Sequence, residues 1–365
     1  MPTVEPFGNL AVVGDPVTVG DWSDLADRVG APFTERPAYV AATAGLPIGG
    51  RGLPGVTTAV AGIVDASGAR AVLGLRILGA GPLRFATSAG HRLGAASDAL
   101  VDGPDSADAL LDVLRRERLP LTFDRIPTDS TFLDALRRRR DWQLEEQVVD
   151  ESPVLTLAAG DGAHDIRSAR SLKRLRTALR AVEREHGPVE FVTVSAPEEL
   201  AARWADLRRV SAARTASMSG RIDYLAEPLS ALVESTLTAE AREGRLLIAG
   251  MVVGDTWMAH EISLRSGRTL HSWLSHFDPA IASGQPGHQI LAQLADKHDG
   301  LDFDRLDHGI GTNGIKNAWS GPDSYSVSRV RAVPAGPRGR ILGAALRGGD
   351  IARRRLRRAP KQTED

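Results

Sequence analysis

The chain has 365 residues, a formal net charge of −1, 25% charged and 42% hydrophobic residues, and no cysteine. This is the composition of an ordinary globular chain long enough for two domains. It excludes disulfides, thiolate nucleophiles and cysteine metal sites, and its balanced charge gives no reason to expect nucleic acid as a partner.

No apolar run reaches membrane-spanning length, and Met1–Gly20 lacks the basic start and apolar core of a secretion signal, so a cytoplasmic location is expected. Leu10–Val13 reads as a short strand, Asp21–Arg28 as a helix, and Pro37–Ala44 as a second helix before a Gly/Pro-rich loop at Gly45–Gly55. Val56–Val64 and Ala69–Leu78, joined by Asp65–Gly68, predict a hairpin. Asp105–Arg118 is a helix and Leu121–Ile126 a strand. Asp129 or Ser130 caps a helix carrying Phe132, Leu133 and Leu136. It ends in the run Arg137–Arg140, a solvated last turn favoured by the helix dipole rather than a nucleic-acid contact. Ser152–Asp165 reads as a last strand and a Gly/Ala-rich connection.

Arg167–Glu185 predicts an amphipathic helix with Leu172, Leu175, Leu179 and Val182 on one face. Arg170, Lys173, Arg174, Arg176, Arg180 and Arg184 fill the other faces, either as a solvated surface or as an attractor for an anionic ligand. Ser195-Ala196-Pro197-Glu198 fits a capping box before a helix with Leu200, Trp204 and Leu207. Ser211–Arg221 reads as a polar loop, and Tyr224–Arg242 as a helix stopped by Gly244. Arg245–Val253, Thr256–Arg265 and Arg268–Phe277 form an antiparallel meander through two short turns. Pro286-Gly287-His288 opens a helix carrying Ile290, Leu291, Leu294 and Ala295, and Leu301–Leu306 is the next strand. Val327–Val333 is a closing strand, and Arg338–Arg358 a basic amphipathic tail, read first as a frayed solvated segment and second as one able to touch an anionic membrane surface.

A helix start presents unpaired N–H groups and a partial positive charge, so Pro286-Gly287 is suited to hold a pyrophosphate. The segment Leu121–Ile126 is echoed by Leu301–Leu306, each after an amphipathic helix, which suggests two copies of one fold. Opposite Pro286-Gly287 the first copy has Ser106-Ala107 preceded by Asp105, which satisfies the helix start itself and repels phosphate.

Phe277-Asp278-Pro279-Ala280, then Pro286-Gly287, then Phe303-Asp304, Asp307, Gly309, Gly311, Lys316 and Trp319 follow one another in a specific order. In that order Ser168 to Trp319 resembles the cofactor half of a GNAT acyltransferase, within the CelD-like branch named after a cellulose-biosynthesis protein. The internal echo resembles tandem GNAT proteins of the Fem type. Thr312, Asn313 and Ile315 depart from the branch, which carries acidic residues and a Tyr there. The strict pyrophosphate signature is absent, with Gly284 and Gly287 in its place.

The resemblance implies an α+β fold of two GNAT-like domains, each a mixed, mainly antiparallel sheet flanked by helices. The expected divisions are 1–160 without cofactor, 161–335 as the acetyltransferase domain and 336–365 as tail. It implies acetyl-CoA or another acyl-CoA as co-substrate, no metal, and direct transfer to an amine or hydroxyl of a small-molecule or saccharide acceptor. The donor is expected along His276, Phe277, Gly284, Gln285, Pro286, Gly287 and His288. Candidate bases are His260, Glu261, His276, Asp278 and Asp307, with Glu261 preferred by analogy with GNAT carboxylates and Tyr325 as a general acid. His260 and Glu261 alternate along a strand, so only one faces the site. His271 and His276 are an odd number apart and are expected on opposite faces, against a shared metal. Lys316 and Trp319 match the motif, and Lys173 is a candidate for substrate phosphate. Two alternatives stand: a Fem-like transferase that uses aminoacyl-tRNA, and a degenerate, non-catalytic partner protein.

Overall fold

The computed structural model describes residues 10–44, 46, 56–79, 84–90, 93, 95–218 and 222–337. The tail at Arg338–Arg358, nearly all of the Gly45–Gly55 loop and the end of the Ser211–Arg221 segment lie outside the described residues.

The first half runs β1 (Ala11–Gly14), α1 (Val19–Val29), α2 (Pro37–Thr43), β2 (Val56–Asp65), β3 (Gly68–Leu78), β4 (Phe85–Ser88), β5 (Leu100–Val101), α3 (Pro104–Arg116), β6 (Leu121–Pro127), α4 (Thr131–Arg138) and β7 (Trp142–Ser152). The second runs β8 (Val154–Thr156), α5 (Ala163–Ile166), α6 (Ala169–His186), β9 (Val189–Val194), α7 (Pro197–Ala216), α8 (Ser230–Arg242), β10 (Leu246–Val253), β11 (Thr256–Ser266) and β12 (Thr269–Phe277). After a 3-10 segment at Pro279–Gly284 come α9 (Pro286–Asp296), β13 (Arg305–Asp307), α10 (Gly314–Ala318) and β14 (Tyr325–Pro334).

The strands form two sheets. One has the order β1-β2-β3-β4-β6-β14-β7, with β5 on β3, and the other β8-β13-β12-β11-β10-β9. Each contains a parallel pair at an equivalent place, β4 with β6 and β12 with β13, and in the first sheet β1 also runs parallel to β2. The echoed segments Leu121–Ile126 and Leu301–Leu306 therefore lead to matching strands, although β13 is only Arg305–Asp307. The sheets also exchange strands across residue 160, near which a domain boundary was expected. β8 joins the second sheet against β13, and β14 returns to the first between β6 and β7.

Helices cover both faces of each sheet. α3 and α4 bury Leu110, Leu114, Phe132 and Leu136 on one face of the first sheet, and α1 buries Trp22 and Leu25 on the other. In the second sheet α6 and α9 contribute Leu175, Val182, Ile290 and Leu294 to one core. α7 and α8 contribute Leu207, Val210, Leu232 and Leu237 to the other. That last core also takes Phe33 and Tyr39 from the first half, whose rings meet Trp273 at 4.7 and 5.9 Å. Such aromatic pairs contribute about 1 kcal/mol beyond their buried area, so the two halves are held together.

Several local expectations shift. β7 escapes the sequence because its middle residues, Glu145, Glu146 and Gln147, are exposed and break any apolar alternation. α7 runs on to Ala216 instead of stopping at Ser211, whose buried hydroxyl donates to Asp223 at 2.6 Å. α8 starts at Ser230 rather than Tyr224. The capping box is shifted by one: Glu199, not Glu198, accepts the N–H groups of Ser195 and Ala196. Arg137 and Arg139, in the basic run ending α4, pair with Glu146 and with Asp112 and Asp141.

Cutting the chain at residue 160 leaves β7 without β14 and β13 without β8. Neither 1–160 nor 161–337 alone is expected to give the cooperative thermal transition of the whole chain. Two independent cooperative melts would show that the strand exchange is dispensable.

Candidate active site

β12 and β13 lie side by side only at Thr269–Arg305, Leu270–Leu306 and His271–Asp307. Beyond that point the strands part. β12 continues along β11 to Phe277, while the other branch turns toward the first half, with His308 N–H on Pro153 O at 3.0 Å and Gly311 N–H on Glu151 O at 2.8 Å. A fork in a sheet frees the edge N–H groups of one strand for a ligand. Gly309, at φ +71, is required at the throat because an added Cβ would lie 2.9 Å from Ser272 O.

Asp307 stands at the apex of the fork and is almost fully buried. It accepts the Ser152 hydroxyl at 2.6 Å, the Tyr325 hydroxyl at 2.7 Å and the Gly309 N–H at 2.9 Å, and His271 Nδ1 lies 3.4 Å away. Burial works to raise its pKa, but His271 and the two hydroxyl donors outweigh it and hold the carboxyl well below its usual range. Burial and the Asp307 charge push the Tyr325 phenol up, so it stays a donor. The other ring nitrogen of His271, Nε2, has no hydrogen-bond partner among the described residues.

Glu261 is enclosed on the opposite face of the sheet, where it accepts the Ser272 hydroxyl. Burial raises its pKa, opposed by Ser272, Ser275 and the Lys316 charge. Lys316 donates to the carbonyls of Gly309 and Ile310 at 2.8 and 3.0 Å, and burial lowers its pKa against the pull of Glu261 and Asp307. His260 faces the other way, as alternation requires. Its Nε2 meets His276 Nδ1 at 3.1 Å, and burial holds its pKa well below the ordinary value. His276 also lies 3.4 Å from the Ser211 hydroxyl.

The expected opposition of His271 and His276 is overturned by a bulge. Leu264 pairs with His271, Ile262 with Leu274 and His260 with His276, while the register slips past Trp273. Leu264, Ile262 and Leu274 belong to one core, so both histidines lie on that face. They serve different partners, and no metal-binding group exists among the described residues.

At the start of α9, Gln285 adopts the left-handed conformation and makes no side-chain cap, and no acidic residue lies in the first turn. An added Cβ on Gly287 would meet Ile315 Cδ1 at 3.2 Å, and one on Gly284 would meet Val182 Cγ2 at 2.6 Å. Packing of α10 and α6 thus accounts for both glycines. His288 Nδ1 accepts the indole N–H of fully buried Trp319 at 2.9 Å. The Arg214 guanidinium stacks on Phe277 at 4.1 Å. Lys173 lies apart from all of these, exposed on the outer face of α6. In α3 the matching helix start likewise has no side-chain cap; Ser106 Oγ bonds the N–H and C=O of Gly103 before it, and Asp105 lies in the first turn.

The fork therefore gathers Asp307, Tyr325, His271 and Ser152 on one face and Glu261 and Lys316 on the other, while His260 and His276 form a separate buried pair. Sequence reasoning missed His271, Ser152 and Ser272. Only the parallel register of His271 with Asp307 reveals them. It also missed Glu35 and Asp98, partly exposed carboxyls contributed by the first half. Glu35 accepts the Asp98 N–H, and its charge reaches Tyr325. Asp98 accepts the Ser130 hydroxyl at 2.8 Å, and burial pushes it up to about 7.

Residues 168–317 match the model of an acetyltransferase (GNAT) domain. The C-terminal domain of a putative lysylphosphatidylglycerol synthetase from Agrobacterium fabrum is 14% identical, covering 90% of this chain and 94% of its own at a TM-score of 0.54. FemX is 10% identical, covering 88% and 97%, with a TM-score of 0.58. A conserved protein of unknown function from Bacteroides thetaiotaomicron is 11% identical, covering 87% and 98%, with a TM-score of 0.50. At these identities the likeness is one of fold. The chain folds as two mixed sheets flanked by helices, and residues 168–317, in the second half, match the GNAT acetyltransferase domain. No curated protein matches the sequence.

A raised carboxyl pKa costs stability as pH climbs, because the unfolded chain releases its proton first. Asp98 costs nothing below its unfolded pKa near 4, and its penalty grows until pH passes about 7. Asp98→Asn is expected to gain thermal stability relative to wild type between those limits. A difference in melting temperature that does not change with pH would rule this out.

Proposed function

We propose that the chain is an acyltransferase that carries an acyl group from a CoA thioester to an amine or hydroxyl at the β12–β13 fork. The observation that carries this reading is the fork itself, with a buried His271–Asp307 pair at its apex inside the segment that matches a GNAT acetyltransferase domain. The donor thioester lies along β12 beyond His271, where freed N–H groups face the developing oxyanion. The acceptor heteroatom attacks the carbonyl carbon, the new C–N or C–O bond forms and the C–S bond breaks. His271 Nε2 takes the acceptor proton, and the imidazolium returns it to the departing thiolate. Asp307 holds Nδ1 and stabilises that imidazolium. Tyr325 and Ser152 keep Asp307 ionised. Glu261, beside Lys316, is the alternative base on the opposite face.

The start of α9, with no acidic residue in its first turn, against the Asp105 in the first turn of α3, supports placing the donor pyrophosphate in the second unit alone. Phe277–Ala280, Pro286-Gly287, Lys316 and Trp319 support the CelD-like branch, and with it a sugar or cell-envelope precursor as acceptor. A second reading, an aminoacyl donor carried by tRNA, is favoured by the shape shared with FemX over 88% of the chain and by Ile315 packed against Gly287.

Calorimetry with acetyl-CoA tests the donor. Wild type is expected to bind, and Gly287→Glu to bind at least about tenfold more weakly, since a carboxylate at a helix start repels phosphate. A folded wild type that binds no CoA ester would overturn this reading in favour of the aminoacyl donor. In thiol-release assays across amines and amino sugars, His271→Gln is expected to keep acetyl-CoA affinity and lose about 100-fold or more in kcat. Unchanged kcat in His271→Gln with a loss in Glu261→Gln would move the base to the other face.

A further inference from the structure

The arginines of this protein are mostly spoken for. Arg36 pairs with Asp27, Arg70 with Asp65 and Asp102, Arg139 with Asp112 and Asp141, Arg245 with Glu240, and Arg268 with Asp302 and Asp304. α6 is different. Its Arg170, Lys173, Arg174, Arg176, Arg180 and Arg184 are all exposed, and none has a carboxylate partner among the described residues.

Helical geometry places these six in one continuous arc opposite the buried Leu175 and Val182. Thr177, Ala169 and Ala181 are the other residues in that arc. The acidic residues of the helix, Glu183 and Glu185, fall on its two flanks. From Arg170 to Arg184 the stripe is about 21 Å long. Six unpaired like charges on one helix repel one another and are costly to keep without a use. The opposite, inner face of α6 packs on the 3-10 segment that leads into α9, so the stripe faces away from the core.

We propose that the outer face of α6 docks the protein on an anionic bilayer surface. A plane of lipid phosphates meets the whole stripe at once, and the long stems of Arg174 and Arg176 at its margins bend down to the same plane. An RNA duplex would curve its phosphates around to the flanks, where Glu183 and Glu185 repel them. The stripe also offers no aromatic ring on which a base stacks. The contact is electrostatic: the outer arc carries no large apolar residue to insert. The docking does not depend on the acyltransferase reading.

The test is co-sedimentation of the full chain with vesicles of phosphatidylglycerol and phosphatidylcholine in equal parts, against phosphatidylcholine alone. The variant is Lys173→Gln, Arg176→Gln, Arg180→Gln and Arg184→Gln together, all at exposed positions, with circular dichroism confirming its fold. Each cation near an anionic surface is worth roughly fivefold in partition, so the variant is expected to bind at least about a hundredfold more weakly. Wild type is expected to bind only the anionic vesicles and to be released by high salt. Three results would overturn the proposal: no binding of wild type at low salt, equal binding by the variant, or binding to transfer RNA but not to vesicles that the variant loses.

Discussion

The buried carboxylate of Asp307 constrains both the fold and the site. A carboxylate removed from water must be matched by donors on nearly every side, or it neutralises or unfolds its surroundings. Here the donors come from four places: Ser152 at the end of β7, Tyr325 at the start of β14, the N–H of Gly309, and His271 on β12. Ser152 and Tyr325 belong to strands of the first sheet, while His271 and Asp307 belong to the second. The charge therefore sits where the two sheets meet. It is satisfied only if β14 has crossed back to the first sheet and β8 has crossed into the second. A fork needs a fixed apex, and this hydrogen-bonded charge supplies one.

Much of the architecture is legible in the sequence because it follows local rules. The hairpin of β2 and β3, the meander of β10 to β12 and the helices α6 and α9 each combine an apolar period with a turn or cap signal. What escapes is non-local or lacks contrast. β7 carries charged residues on exposed positions and pairs with a strand nearly two hundred residues away, as in Arg331 with Glu145. No local pattern announces that partner. The landing of β14 in the first sheet is equally invisible, since its apolar residues suit either sheet.

The site is legible in its membership but not in its geometry. Asp307, Tyr325, Glu261 and Lys316 can be named from order along the chain, yet nothing in that order says that Asp307 and Tyr325 share a hydrogen bond. The facing of His271 is lost for a definite reason. Strand parity assumes a period of two, and the extra residue at Trp273 breaks it, bringing His271 to the same face as His276. Gly284 and Gly287 also have a reason the sequence hides: Val182 and Ile315 occupy the space that a side chain would take.

The two halves share a plan but keep different chemistry at corresponding points. Neither α3 nor α9 caps its start with a side chain, but α3 has Asp105 in its first turn whereas α9 has no acidic residue there. In exchange, the first half contributes Glu35 and Asp98, two carboxyls drawn together at the seam beside Tyr325. Burial raises both, Asp98 to about 7, so near neutral pH they impose a cost that apolar residues in their place would not. The two copies of the plan have therefore diverged in charge where they meet: the first brings costly carboxyls to the seam, and the second keeps the start of α9 free of acidic residues.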